Sequence, residues 1–145
     1  MGYPSEDEEI EIMLKRGNGN PLDKIETVVE PEDIASAGEI ASKMELSPEV
    51  SRYIVKLVGA TRKSDLLSLG ASPRASIALM KMCRTYALLR GKDYVSPEDV
   101  AAVYSAVLSH RIVLGQNARL EGMTAAEALD KIARKVPVPY RRERT

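Results

Sequence analysis

The stretch GASPRAS at residues 70–76 sets a cation where this chain elsewhere sets an acid. Three segments open with the same phrase: Ser47-Pro48-Glu49, Ser72-Pro73-Arg74 and Ser96-Pro97-Glu98. Serine offers an oxygen to the first free amides of a helix, and proline fits the first turn, where its missing N–H costs nothing. An acid should follow, because a helix N-terminus carries roughly half a positive charge. Arg74 breaks that rule at a cost of about 0.3–1 kcal/mol relative to a neutral residue. An anion over the helix start would recover the cost, held by Ser72, the free amides, the dipole and the guanidinium together. Gly70 and Ala71, both small, would let such a phosphate or carboxylate approach the backbone closely. The plain alternative is an Arg74 that points to solvent or pairs with a surface acid.

No other motif completes a phosphate site. Nucleotide hydrolysis needs GxxxxGK[ST] and a strand-borne acid for magnesium, and the sequence has neither. GATRKS at 59–64 lacks the second glycine and sits at a helix end, so the chain alone is not expected to be an enzyme. His110 and Arg111 close one helical stretch and Arg62 another, where cations complement the dipole. A general-base role for His110 would need an orienting acid or a nucleophile beside it. Cys83 lies inside an apolar helix and reads as core rather than as a nucleophile. With one cysteine and one histidine, an internal disulfide framework and a Cys/His zinc site are excluded, and no metal site is expected. Glu6, Asp7, Glu8 and Glu9 match a first-turn dipole better than a metal cage. Arg141, Arg142 and Arg144 read as a solvated basic terminus rather than a nucleic-acid arm.

The elements that carry these residues are helical almost throughout. Ser5 with Glu8 is a capping box that opens a helix through Arg16, closed by Gly17. Residues 17–30 read as an irregular connection whose Ile25, Val28 and Val29 could lie against something apolar. Pro31 starts a helix with Ile34, Ala37, Ala41 and Met44 on one face. Ser47 starts the next, with Val50, Tyr53, Ile54, Leu57 and Val58 as its stripe. The helix from Pro73 to about Arg90 is apolar nearly all round (Ile77, Leu79, Met80, Met82, Cys83, Tyr86, Ala87, Leu88), which predicts a central helix packed on several sides and ended by Gly91. Val100, Val103, Tyr104, Val107 and Leu108 stripe the helix from Pro97. The last helix starts at Thr124, with Glu127 as its box partner, and presents Ala125, Ala128, Leu129, Ile132, Ala133 and Val136. RIVLGQNARLEG reads as a loop with a short extended piece at Ile112–Leu114. The fold class is all-α, a bundle of about five or six helices. Lys+Arg and Asp+Glu are both 21, so no net field draws the chain to nucleic acid or anionic lipid. No apolar run reaches the roughly 18 residues of a membrane span. These features predict a cytoplasmic domain.

LGASPRASIALMKMCRTYALLRGKDYVSPEDV, then VLSHRIVL and KVPVP, resembles the C-terminal helical lid of MoxR-type AAA+ ATPases, and GYPSEDEE and YIVKLVGATR are similar to the same family. The resemblance covers essentially the whole chain, and its 70–100 block is highly specific. It implies an ATP-driven, chaperone-like protein that matures partner proteins or inserts cofactors into them, often with von Willebrand factor A domain proteins. It also implies that Arg74 is the second-sensor arginine, reaching the γ-phosphate of ATP held by another domain. On that basis the cofactor is ATP, with Mg2+ held by the core, and Ser72 and Ala71 flank the contact. The phosphate loop, magnesium acid and inter-subunit arginine finger would then precede residue 1. Residues 1–17 would be the tail of that core, 18–30 a connection, 31–136 the lid and 137–145 an extended basic tail. Ser109 stands where the family often has proline.

Partners implied by the resemblance are the chain's own AAA+ core and neighbouring subunits of a ring, with no nucleic acid and no membrane span. Ile10, Met13, Val28 and Val29 are the expected apolar surface for core contact. The competing class is a free-standing helical adaptor that uses the same stripes and the same Arg74 with nucleotide irrelevant.

Overall fold

The computed structural model describes residues 3–17 and 21–139; the arginines of the expected basic tail lie outside them. The chain divides into two compact units, Met1–Ala35 and Ser36–Thr145. The first begins with the expected capping box: the Glu8 carboxylate accepts from the Ser5 amide at 2.7 Å and from its hydroxyl at 2.9 Å. This starts helix α1 (Glu6–Gly17), whose first turn holds the four acids and whose last turn holds Lys15 and Arg16. Glu6, Asp7, Glu8 and Glu9 thus sit where the dipole favours them. A 3-10 turn follows at Pro21–Lys24.

Helix α2 (Pro31–Lys43) runs across the boundary between the units. Its predicted stripe is buried only at the far end, at Ala41 and then Met44; Ile34 remains 63% exposed and Ala37 is exposed too. The helical spacing is there, but spacing alone does not supply a neighbour to cover it.

The second unit contains helix α3 (Pro48–Thr61), strand β1 (Leu67–Leu69), helices α4 (Pro73–Leu89) and α5 (Pro97–Leu108), and a 3-10 turn at Ser109–Arg111. Strand β2 (Val113–Leu114) and helices α6 (Gln116–Leu120) and α7 (Ala125–Ala133) complete it. Every predicted stripe residue of α3 and of α5 is buried. Ala128, Leu129 and Ile132 of α7, with Val136 beyond it, join them. Helix α4 packs on α5 and α3. Its buried positions Ala75, Leu79, Cys83 and Ala87 recur every four residues, and three of the four are small, which lets the neighbouring helices come close.

Helix α4 is not enclosed as its composition predicted. Ile77 (54%), Met82 (47%) and Leu89 (81%) are exposed, so apolar side chains remain open at more than one place around the helix. The helix ends as expected at Gly91, whose φ of 68° suits a residue without a side chain. There the Gly91 amide donates to the Leu88 carbonyl and the Lys92 amide to that of Ala87, the Schellman pattern. Lys92 then meets the start of α5. Its ammonium lies 2.8 and 2.9 Å from the two Asp99 oxygens, and the Ser96 amide and hydroxyl donate to the same carboxylate.

Two short elements were not anticipated. Helix α6 occupies five residues of the stretch read as a loop, and Gly122 (φ 70°) ends it with a second Schellman pattern. Strand β1 pairs antiparallel with β2, Leu67 opposite Leu114 and Leu69 opposite Val113. The extended piece expected near Ile112–Leu114 is therefore one half of a two-stranded ribbon. No helix among the described residues is long and apolar enough to cross a membrane.

Candidate functional site

The corner between α3 and α4 is built from the last turn of α3 and residues 70–72. Thr61, almost fully buried, donates its hydroxyl to the Val58 carbonyl at 2.6 Å. The same oxygen accepts from the Ala71 amide at 2.9 Å. Arg62, at the C-cap of α3, donates through Nε to the Ala71 carbonyl at 2.7 Å. Both backbone polar groups of Ala71 are thereby held by consecutive residues of one helix end. The β1–β2 ribbon delivers the chain into this corner, and the Ser68 hydroxyl donates to the Val113 and Leu114 carbonyls across it.

Gly70 has no side chain for a reason the sequence did not reveal. A Cβ there would lie 2.6 Å from the Arg62 α-carbon and 2.7 Å from the Thr61 carbonyl carbon. The close approach that Gly70 permits is therefore by α3, not by a ligand. Ala71 is likewise buried, and it has no free N–H to offer an anion. Of the small residues before the helix, only Ser72 is exposed.

The three serine-proline helix starts differ in their polar contacts. At α3 the Ser47 hydroxyl accepts from the Val50 amide at 3.2 Å, and Glu49 stands in the first turn. At α5 the Ser96 hydroxyl and amide turn to Asp99. At α4 the Ser72 side chain makes no capping bond, and the first turn holds no acid. Arg74 follows Pro73, exposed, with no hydrogen bond or ion pair among the described residues. Of the expected site residues, Arg74 and Ser72 share this open helix start, while Ala71 lies beneath it.

The remaining candidates fall elsewhere. His110 is exposed in the 3-10 turn after α5. Arg111 donates through Nε to the Val107 carbonyl at 3.1 Å, the capping expected of it. Arg62 is not a capping side chain in that sense, because its bond goes to Ala71 rather than to a carbonyl of α3. Cys83 is buried, and burial, helped by the negative charge of Asp99, pushes its thiol up to about 12. A thiol so protonated is a core group. Burial also draws the Asp99 carboxyl upward, but Lys92 and the Ser96 amide and hydroxyl outweigh it and hold the group below the ordinary aspartate value. No cluster of His, Cys, Asp or Glu among the described residues could hold a metal ion.

Residues 59–132 match the family described as AAA lid domain. The chain belongs to the MoxR family of AAA+ proteins and carries its lid. The chain is 36% identical to the YeaC protein of Bacillus subtilis over 142 residues, covering 98% of this chain and 44% of that one. It is 34% identical to chaperone MoxR1 of Mycobacterium tuberculosis over 148 residues, 96% of this chain and 39% of the relative. Among solved structures it is similar to a candidate ATPase from Cytophaga hutchinsonii, at 30% identity and a TM-score of 0.77, over 97% of this chain and 45% of that one. The chain thus spans less than half the length of these relatives. The matched segment 59–132 contains the whole α3–α4 corner, from Thr61 to Arg74.

Proposed function

We propose that this lid couples the nucleotide state of an AAA+ core to movement, with Arg74 contacting the γ-phosphate of ATP as the second-sensor arginine. The observation that carries the reading is the start of α4: an exposed arginine with no hydrogen bond or ion pair among the described residues, beside an uncapped serine and with no acid in the first turn. A cation against the dipole is an uncompensated cost until an anion arrives. In this reading the core supplies the phosphate loop and the acid that holds Mg2+, and the lid supplies one arginine. Ser72 flanks the same helix start, while Ala71, engaged by Thr61 and Arg62, supports it from below.

The cycle then turns γ-phosphate binding into rotation of lid against core. The expected partners are that core, neighbouring subunits of a ring and, in the cell, a von Willebrand factor A domain protein. The work done is chaperone-like remodelling or cofactor insertion in the cytoplasm. The exposed apolar side chains Ile10, Met13, Val28 and Val29 are the surface the core would cover.

The test is Arg74→Ala in the full-length protein that carries this lid. ATP hydrolysis should fall by at least about tenfold with the fold intact, the equivalent of about 1.4 kcal/mol in transition-state stabilisation. Unchanged turnover would remove the sensor role and favour a helical adaptor that binds its partner with nucleotide irrelevant.

A further inference from the structure

We propose that Thr61 and Arg62 are positioning residues for Arg74, clamping the start of α4 to the end of α3 so that a pull on the arginine moves both helices as one body. The inference rests on the sensor reading of Arg74 given above.

Three independent features meet at this corner. The Thr61 hydroxyl both accepts from the Ala71 amide and donates to the Val58 carbonyl, so both of its bonds are fixed and its rotamer with them. Arg62 secures the opposite side of the same peptide unit, at the Ala71 carbonyl. Gly70 lies so close to the backbone of Thr61 and Arg62 that a single added carbon would collide with it. A collision with backbone, unlike one with a flexible side chain, has no cheap relief.

Buried Ala71 needs a partner for its amide and another for its carbonyl, and many loop arrangements would supply them. Here both of its polar groups are tied to α3, three residues before Arg74. A loose 70–72 segment would let Arg74 follow a phosphate while the rest of the lid stayed still. A clamped one passes the displacement to α3, which packs on α4 and α7. Geometry within about an ångström matters for a charge that must meet a phosphate oxygen, so the clamp acts on the chemistry through Arg74.

The experiment is a double-mutant cycle on ATP hydrolysis by the full-length protein. Thr61→Val keeps the volume but removes both hydrogen bonds. It should lower turnover about fivefold or more in the native background and less than about twofold in the Arg74→Ala background. Thr61→Ser, which restores the hydroxyl, should stay within about twofold of the native rate. A residue acting only on folding would cost the same in both backgrounds, and equal losses would overturn the inference. So would native turnover in a folded Thr61→Val protein. Arg62→Met supplies a second cycle at an exposed position, needed if Thr61→Val does not fold, and the same non-additivity is expected of it. If Arg74→Ala alone leaves hydrolysis unchanged, the sensor reading fails and takes the clamp's role with it. If Arg74→Ala slows hydrolysis and both clamp variants are additive, only the clamp fails.

Discussion

Arg74 has a single visible peculiarity, its sign, and that was legible in the sequence because Ser47-Pro48-Glu49 and Ser96-Pro97-Glu98 supply the comparison within the same chain. Thr61 was not legible. In GATRKS it reads as the end of a helix, and its partner Ala71 is ten residues away across a ribbon whose pairing no local pattern announces. Gly70 was misjudged for the same reason: a missing side chain marks a close approach without saying what approaches. The dipole argument still yields an expectation for the lid by itself. Arg74→Ala removes an exposed cation from the positive end of a helix and breaks no hydrogen bond or ion pair among the described residues. Urea unfolding of the lid should therefore change by less than about 0.5 kcal/mol, or shift toward greater stability. A loss above about 2 kcal/mol would mean that Arg74 holds the fold rather than serving a ligand.

Elements were legible in proportion to their length. Helices α3, α5 and α7 carry repeated apolar stripes; those of α3 and α5 are buried throughout, and that of α7 is buried at Ala128, Leu129 and Ile132 while Ala125 and Ala133 are half-buried. Helix α6 spans five residues and β1 three, too few for a period to show. Helix α4 shows the converse limit: apolar composition on all sides did not enclose it, because only α3 and α5 pack heavily on it. The joint between α4 and α5 depends on charge as well as packing. Asp99 is 2% exposed and paired with Lys92, whose side chain is itself partly covered. Its carboxyl titrates lower in the folded lid than in the unfolded chain, so the folded state is favoured by its ionisation. That contribution is complete at neutral pH, begins to fall near the unfolded value of about 4, and is lost as the pH drops through the lower folded value. Asp99→Asn should flatten the acid limb of a stability-versus-pH curve measured by thermal unfolding. Asp99→Ala at pH 7 should cost about 3 kcal/mol, since it strands the Lys92 ammonium and frees the Ser96 amide. An acid limb identical to that of the native lid would show that Asp99 is not the group responsible.

On the scale of the whole chain, burial is distributed unevenly. Every residue from Tyr3 to Ile40 whose side chain is described is exposed, and the first buried one in chain order is Ala41. From there to Val136 lies the entire described core. Apolar character is not scarce in the exposed part: Ile10, Ile12, Met13, Leu14, Ile25, Val28 and Val29 all stand more than half open. Water-exposed apolar groups at that density stabilise nothing within the lid, yet they are the raw material of an interface. Two consequences follow for a chain lacking residues 1–30. Since no described core side chain is removed, its unfolding free energy should change by less than about 1 kcal/mol, and its Tm by less than about 5 °C. Since nine exposed large apolar side chains among the described residues, Tyr3 and Leu22 included, are removed with it, binding of an apolar dye to the folded protein should fall severalfold. In the full-length protein the same dye should find this surface already covered, if the AAA+ core occupies it as proposed. A truncated chain that loses more than about 2 kcal/mol would show that the first thirty residues belong to the lid's own fold. Undiminished dye binding would place the sticky surface elsewhere, among the exposed apolar residues from Ile34 onward, such as Val55, Leu89 and Leu120.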